Sequence, residues 1–247
     1  MRALARRIVR DPKASLAAGL FGLLIGALAV FFLTQAKESL SPDPDRARIE
    51  RIVRDYILAH PDILPEAMDI LRDRETAKVV DAHRAAIETP FASAWAGARD
   101  GDVTLVEFFD YACPYCHAAN ADIARLLKED AKLKVVWREL PVLGDDSIAA
   151  AQVSLAAARQ GRFHAFRDRL FGAGRPSPNA VAEARQATGV TPVQSAEIDA
   201  EIDRNFELAR ALRATGTPTF VIGDKVLTGA VGYDALKEAI AAARKRG

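Results

Sequence analysis

The hydrophobic and polar positions of this chain follow two periods, one of strands and one of helices. Residues 103–109 place Val103, Leu105 and Phe109 on one face of a strand and Val106 and Phe108 on the other. A strand apolar on both sides is one covered on both sides, and Glu107 is the exception within it. Residues 133–140 read as a second strand, and the helix between them, from Pro114 to about Asp130, makes a strand–helix–strand unit with parallel strands. Residues 218–222 and 225–228 form a hairpin around Gly223-Asp224, and residues 91–95 are a short first strand. Between them, from Asp146 to about Arg213, the pattern is helical and rich in alanine, in segments 148–160, 163–171, 179–188 and 196–212. Residues 234–244 close the chain as an amphipathic helix. Upstream, Ile49, Ile52, Val53, Tyr56 and Ile57 form one apolar stripe at helical spacing, and His60-Pro61-Asp62 breaks that helix. Ile63, Leu64, Ala67, Met68, Ile70 and Leu71 mark a second stripe, followed by the charged run 72–78. Two short helices cannot bury such stripes alone, so they pack on the rest of the chain or on copies of themselves. Across the charged connector, self-association through residues 49–71 is the expectation.

The N-terminus adds a targeting signal. Arg2, Arg6, Arg7, Arg10 and Lys13 precede an uncharged run at 14–36. That run is longer than a secretory h-region and matches the roughly 20 apolar residues that span a bilayer. The basic flank stays cytoplasmic, so everything after Lys37 is exported. A cleavable signal peptide ending at Thr34-Gln35-Ala36 is the competing reading. Either one exports the cysteines, which in a bacterium means an oxidising compartment. The expected organisation is a basic segment 1–13, an anchor 14–36, a proline-marked linker 37–48, a helical module 49–88, and an α/β domain 89–247 with a helical insertion at about 146–213. The catalytic domain then lies on the periplasmic side of a bacterial inner membrane, or free in the periplasm if residues 1–36 are removed.

Composition changes this picture little. Half of the 247 residues are hydrophobic, 27% are charged and the formal net charge is +1. No basic cluster lies beyond the N-terminus, which argues against a nucleic-acid partner. The chemistry sits in the two cysteines, Cys113 and Cys116, at the junction of strand and helix. Pro114 suits a first helical position, which makes Cys113 the N-cap and puts Cys116 one turn on, on the same face. First-turn N–H groups and the helix dipole favour a thiolate at Cys113, so it should ionise below an ordinary thiol. Structural zinc wants four ligands, and the four histidines show no matching spacing. A structural disulfide across two residues closes too small a loop to stabilise much. A redox dithiol is the remaining reading. Glu107, desolvated on a covered strand, suits a proton carrier beside a buried thiol; the bland alternative is an edge-exposed acid. Pro218, after Gly216-Thr217, is either a trans proline on an edge or a cis Thr217–Pro218 bond that exposes backbone groups to a substrate.

Residues 107–116, Glu-Phe-Phe-Asp-Tyr-Ala-Cys-Pro-Tyr-Cys, followed about 100 residues later by Gly216-Thr217-Pro218-Thr219-Phe220, resemble the DsbA-like branch of the thioredoxin superfamily. Residues 49–71 resemble the N-terminal helical module of the ScsC (suppressor of copper sensitivity) proteins, departing at Pro65. The resemblance implies a thioredoxin-like fold with an inserted helical domain. It makes Cys113 the exposed nucleophile, Cys116 the buried resolving thiol and Glu107 the buried acid. Pro218 would be a cis-proline facing the dithiol, with Thr217 offering main-chain hydrogen bonds to a client, and Pro114 and Tyr115 would tune the potential. No cofactor is implied. Three functions follow. The leading one is a membrane-tethered oxidoreductase donating its disulfide to exported client proteins and recharged by a membrane oxidase. The second is an oligomeric isomerase or thiol protector kept reduced by a membrane reductase. The third is a copper-binding module using the two thiols as soft ligands.

Overall fold

A computed structural model describes residues 19, 21–33, 44–191, 193 and 195–246. They fall into two compact units, residues 1–67 and 68–247. In the first, residues 21–33 are helical with exposed apolar side chains such as Phe21, Leu24 and Phe31. Among the described residues no helix is long and apolar enough to cross a membrane. The remaining residues of the run 14–36 lie outside them, as does most of the linker 37–48. Helix α1, Pro44–Ala59, follows, with Ile49, Ile52, Val53 and Tyr56 of the expected stripe all exposed.

The second stripe belongs to a longer helix than its apolar pattern suggested. Helix α2 runs unbroken from Ile63 to Glu88. Pro65 is accommodated because it falls in the first turn, where no intrahelical N–H is needed. The charged stretch 72–78 is held as helix by exposed pairs one turn apart, Arg72 with Asp69 and Lys78 with Glu75. Beyond it, Val80 and Ile87 are fully buried. The end of α2 is therefore part of the sheet domain's core, and the boundary between the two compact units falls within this helix, between Ala67 and Met68.

The sheet has five strands in the order β1-β3-β2-β4-β5: Trp95–Gly97, Val103–Phe109, Leu133–Glu139, Thr219–Ile222 and Lys225–Thr228 for β1 to β5. The β2–β3 pair is parallel and the others antiparallel, with β2 at the centre. The first strand is β1, later than the expected 91–95. Its last residue, Gly97, has φ +87°, and a Cβ there would come 2.2 Å from the Leu133 carbonyl oxygen. Helix α3, Pro114–Glu129, crosses between β2 and β3. The insertion holds α4 (Asp145–Arg159), α5 (Phe163–Gly172), α6 (Pro178–Ala187) and α7 (Ala196–Ala211), and α8 (Gly232–Arg244) ends the chain beside α3. Alanines 150, 151 and 156–158 are buried along α4, and side chains that small let neighbouring helices approach closely.

Strand alternation sorts the sheet into two covered faces. Leu105, Phe109, Val135 and Trp137 face Cys116, Ala119 and Ile123 of α3, Leu236 and Ile240 of α8, and the α4–α5 insertion. Val106, Phe108, Val136 and Val221 face Val80 and Ile87 of α2 and Leu208, Ala209 and Leu212 of α7. On this second face Arg138 is a buried tie. It donates to Glu201 Oε1 at 2.9 Å, Asn205 Oδ1 at 2.8 Å and the carbonyl of Ile87 at 2.8 Å. It also reaches the carbonyls of Ala86 and Thr89, so it caps the C-terminal end of α2. Removing one partner of a buried ion pair leaves the other charge stranded. Arg138→Ala should therefore cost about 3 kcal/mol in urea unfolding, and Glu201→Gln in the same background should recover part of it. An unchanged midpoint for Arg138→Ala would show that the tie does not hold the two helices.

Candidate functional site

The dithiol sits where β2 ends. Cys113 is the N-cap of α3 with an extended backbone (φ −83°, ψ 116°), and Pro114 occupies the first helical position. The expected cap hydrogen bond is absent: the thiol instead donates to the main-chain oxygen of Thr217 at 3.2 Å. A neutral S–H has a proton to give, and a carbonyl is the better partner for it than an N–H. Cys113 is also less open than expected, 4% exposed, because Tyr111, Phe171 and the 217–218 turn crowd it. Its opening is a cleft of about 190 Å³ that it lines with Pro114, His117, Phe171 and Arg175. Cys116, one turn on, is fully buried, and both cysteines are free thiols. Tyr115 and His117 point outward. The peptide bond between Thr217 and Pro218 is cis.

Glu107 lies on the face of β2 beneath α3 and is fully buried. Burial pushes its carboxyl up to about 7, against the opposing pull of Arg167, whose Nη2 is 3.5 Å from Oε2. Burial likewise holds the Cys116 thiol far above its ordinary range, and the charge of Glu107 adds to this. The charge of the acid therefore reaches the buried thiol.

Three buried groups went unforeseen. Asp110 braces the turn that carries Cys113. Its Oδ1 accepts from the Ala112 N–H and the Ser147 hydroxyl, both at 2.7 Å, and its Oδ2 accepts from the N–H groups of Val142 and Leu143 at 2.8 and 3.0 Å. The signal for it was a carboxylate directly after a buried strand, the position of a turn-forming side chain. Arg167 of α5 donates to Asn120 of α3 at 2.6 Å and stacks over Trp137 at 4.7 Å, joining the insertion to the dithiol helix. Glu139 ends β3, 1% exposed. Its neighbour Arg138 is charged too, and consecutive strand residues face opposite sides, so no alternation could show that both are inside. Among the described residues, no cluster of three or more His, Cys, Asp or Glu side chains is placed to hold a metal ion.

Residues 104–241 match the DSBA-like thioredoxin domain model. The chain belongs to the DsbA-like thioredoxin family. It is thus a member of the DsbA-like thiol–disulfide oxidoreductases. Residues 45–78 match the N-terminal domain of the copper resistance protein ScsC. A linker-deletion mutant of Proteus mirabilis ScsC superposes with a TM-score of 0.67 at 27% identity, covering 84% of this chain and 99% of that one. Disulfide bond formation protein D of Bacillus subtilis is 28% identical over 166 residues, 58% of this chain and 73% of that protein. The Na(+)/H(+) antiporter NhaA 3 of Salinispora tropica is 28% identical over 163 residues, 60% of this chain. The chain spans only 24% of that antiporter's length.

Glu107 couples stability to pH, with a sign fixed by its raised value. The folded carboxyl, at about 7, holds its proton over a range in which the unfolded one, near the ordinary 4.5, has lost it. The native state binds more protons in that window, so stability falls as pH rises from about 4.5 and levels off above about 7. Glu107→Gln should remove that slope and leave the variant more stable than the parent by about 3 kcal/mol at pH 8, read from urea midpoints between pH 4 and 8. Parallel stability curves for the two proteins would contradict it.

Proposed function

We propose that this chain is an exported, membrane-tethered oxidoreductase that exchanges a Cys113–Cys116 disulfide with client proteins. The observation that carries the reading is the Cys113 thiol at the mouth of a cleft, 3.2 Å from the backbone oxygen of Thr217, with Cys116 sealed behind it. Only one of the two sulfurs can be reached, so a client bonds to Cys113. In the oxidising direction a client thiolate attacks Cys113 Sγ and the Cys113–Cys116 bond breaks. Its electron pair goes to Cys116 Sγ, which takes a proton from Glu107. A second client thiolate then attacks the client sulfur of the mixed disulfide, and Cys113 leaves as a thiolate. The client loses two electrons and the dithiol gains them. Thr217 and Pro218 align the client strand, and Pro114 and Tyr115 act on the potential through the first turn of α3. A membrane oxidase returns the disulfide.

The tether rests on the uncharged run 14–36 after five basic residues. A second reading, an oligomeric isomerase or thiol protector kept reduced by a membrane reductase, is favoured by the exposed stripe of α1 (Ile49, Ile52, Val53, Tyr56) and by the ScsC-type match at 45–78. A copper-binding role would leave the buried acid and the 217–218 turn without a task.

The chemistry is tested by trapping. Cys116→Ala should accumulate client mixed disulfides on Cys113, and Cys113→Ala should abolish exchange; turnover by Cys113→Ala would remove the nucleophile assignment. Acid quench and thiol alkylation in native cells reads the direction. A mostly oxidised pool supports the donor of disulfides, and a mostly reduced pool supports the isomerase. Sedimentation of the chain from Pro42 onward tests self-association. A multimer is expected, reduced to monomer by Ile52→Lys with Tyr56→Lys, whereas a monomeric parent at high concentration would leave α1 without a partner copy.

A further inference from the structure

The cleft through which Cys113 is reached has a charge of its own. Its volume, about 190 Å³, falls below the roughly 300 Å³ at which small-molecule sites begin, so it takes a side chain rather than a cofactor. Among its lining residues Cys113, Tyr111 and Phe171 are buried, whereas His117 and Arg175 are exposed. No carboxylate lines it. The acids whose charge reaches Tyr111, Glu139 and Asp168, lie outside the lining.

The chain seats Arg175 here by its backbone. Helix α5 stops at Gly172, and Gly174 takes φ +89°, a left-handed conformation that glycine adopts without strain. The Gly174 N–H donates to the carbonyl of Phe171 at 3.1 Å, and Pro176, two residues on, is buried. Arg175 is thus held between a hydrogen-bonded turn and an anchored proline. Among the described residues its side chain makes no hydrogen bond or ion pair. Arg167, on the neighbouring helix α5, differs in both respects: it is buried, and it is spent on Asn120 and Glu107. His117 approaches Phe171, ring centroids 6.0 Å apart, and in either tautomer one of its ring nitrogens carries a proton to donate.

We propose that this cleft is a subsite for an acidic residue beside the reacting cysteine of the client, and that Arg175 is the residue that selects it. The inference rests on the reading that the client bonds to Cys113. A guanidinium offers a carboxylate two parallel N–H bonds, and His117 adds a further donor. The Thr217 carbonyl, 3.2 Å from Cys113 Sγ, meets the main chain of the same client segment, so the carboxylate belongs to a peptide and not to a small acid. The exchange itself is unaltered. A charge at the rim acts on encounter and on the choice of partner, not on where the electrons go.

The test is a competition for Cys113. The reduced full-length Cys116→Ala protein is offered equal amounts of two peptide 2-thiopyridyl disulfides, alike except for Glu or Lys on both sides of the cysteine. Cys113 Sγ attacks the peptide sulfur, thiopyridine leaves with the electron pair, and intact-mass spectrometry counts the two adducts. The same peptides reacted with mercaptoethanol correct for their own reactivity. An exposed pair of this kind is worth up to about fivefold, so the Glu adduct should exceed the Lys adduct by about that factor. The excess should shrink in about 1 M salt. Arg175 is exposed, so reversing its charge leaves the core intact. Arg175→Glu should reverse the preference, Arg175→Lys should keep part of it, and His117→Ala should weaken it without reversal. Equal adducts in the Arg175 protein, or a Glu excess that survives Arg175→Glu, would overturn the subsite and leave Cys113 as the nucleophile. No adduct on Cys113 with either peptide would remove that assignment and the subsite with it.

Discussion

The site depends on one constraint, a central strand with no face left to water. Both sides of β2 are covered, by α3, α8 and the insertion on one and by α2 and α7 on the other. A carboxylate in such a strand cannot keep its hydration, and Glu107 rises towards neutrality for that reason first. The same cover shields Cys116 and raises it, so thiol and acid are tuned by one cause rather than by two local accidents. Arg167 limits the effect. Its guanidinium is seated among the rings of Phe109, Trp137 and Phe171, 4.7–5.3 Å from their centroids, and lies close enough to Glu107 to hold the acid short of permanent neutrality. An acid near 7 gives and takes protons at little cost, which a fully neutral or fully ionised group would not do.

Much of this was legible in the sequence, and the reasons differ by element. Val103–Phe109 announced itself because a strand covered on both faces has no polar period. Pro114 and the two cysteines gave the helix start, because proline is tolerated there and almost nowhere else in a helix. The end of α2 was hidden. Its buried contacts, Val80 and Ile87, are two residues in a charged helix, and which surface they meet is a tertiary fact. Arg138 and Glu139 were hidden for a related reason. Charged residues are rarely buried, and here each is buried on its own face with partners contributed by α2, α4, α5 and α7. The sulfur's own hydrogen bond was misjudged because helix-cap chemistry counts only the first-turn N–H groups, whereas the Thr217 carbonyl, brought in from about 100 residues away, is also within reach of the S–H.

That last difference has a mechanistic side. As a thiol, Cys113 is a donor and spends its proton on the Thr217 carbonyl; as a thiolate it can only accept. Without its proton the sulfur has nothing to donate to Thr217, and the first-turn N–H groups of α3, which it does not cap here, are the kind of donor a thiolate accepts from. The Thr217 carbonyl is then left without its donor, beside the cleft, at the moment the sulfur becomes nucleophilic. In the exchange proposed above, a main-chain N–H of the client strand takes its place. Ionisation of Cys113 and release of the Thr217 carbonyl are in this way two consequences of the same lost proton. Asp110, by holding Ala112, Ser147, Val142 and Leu143, fixes the turn that carries the sulfur, so the Thr217 carbonyl and the first turn of α3 stay within its surroundings in either protonation state.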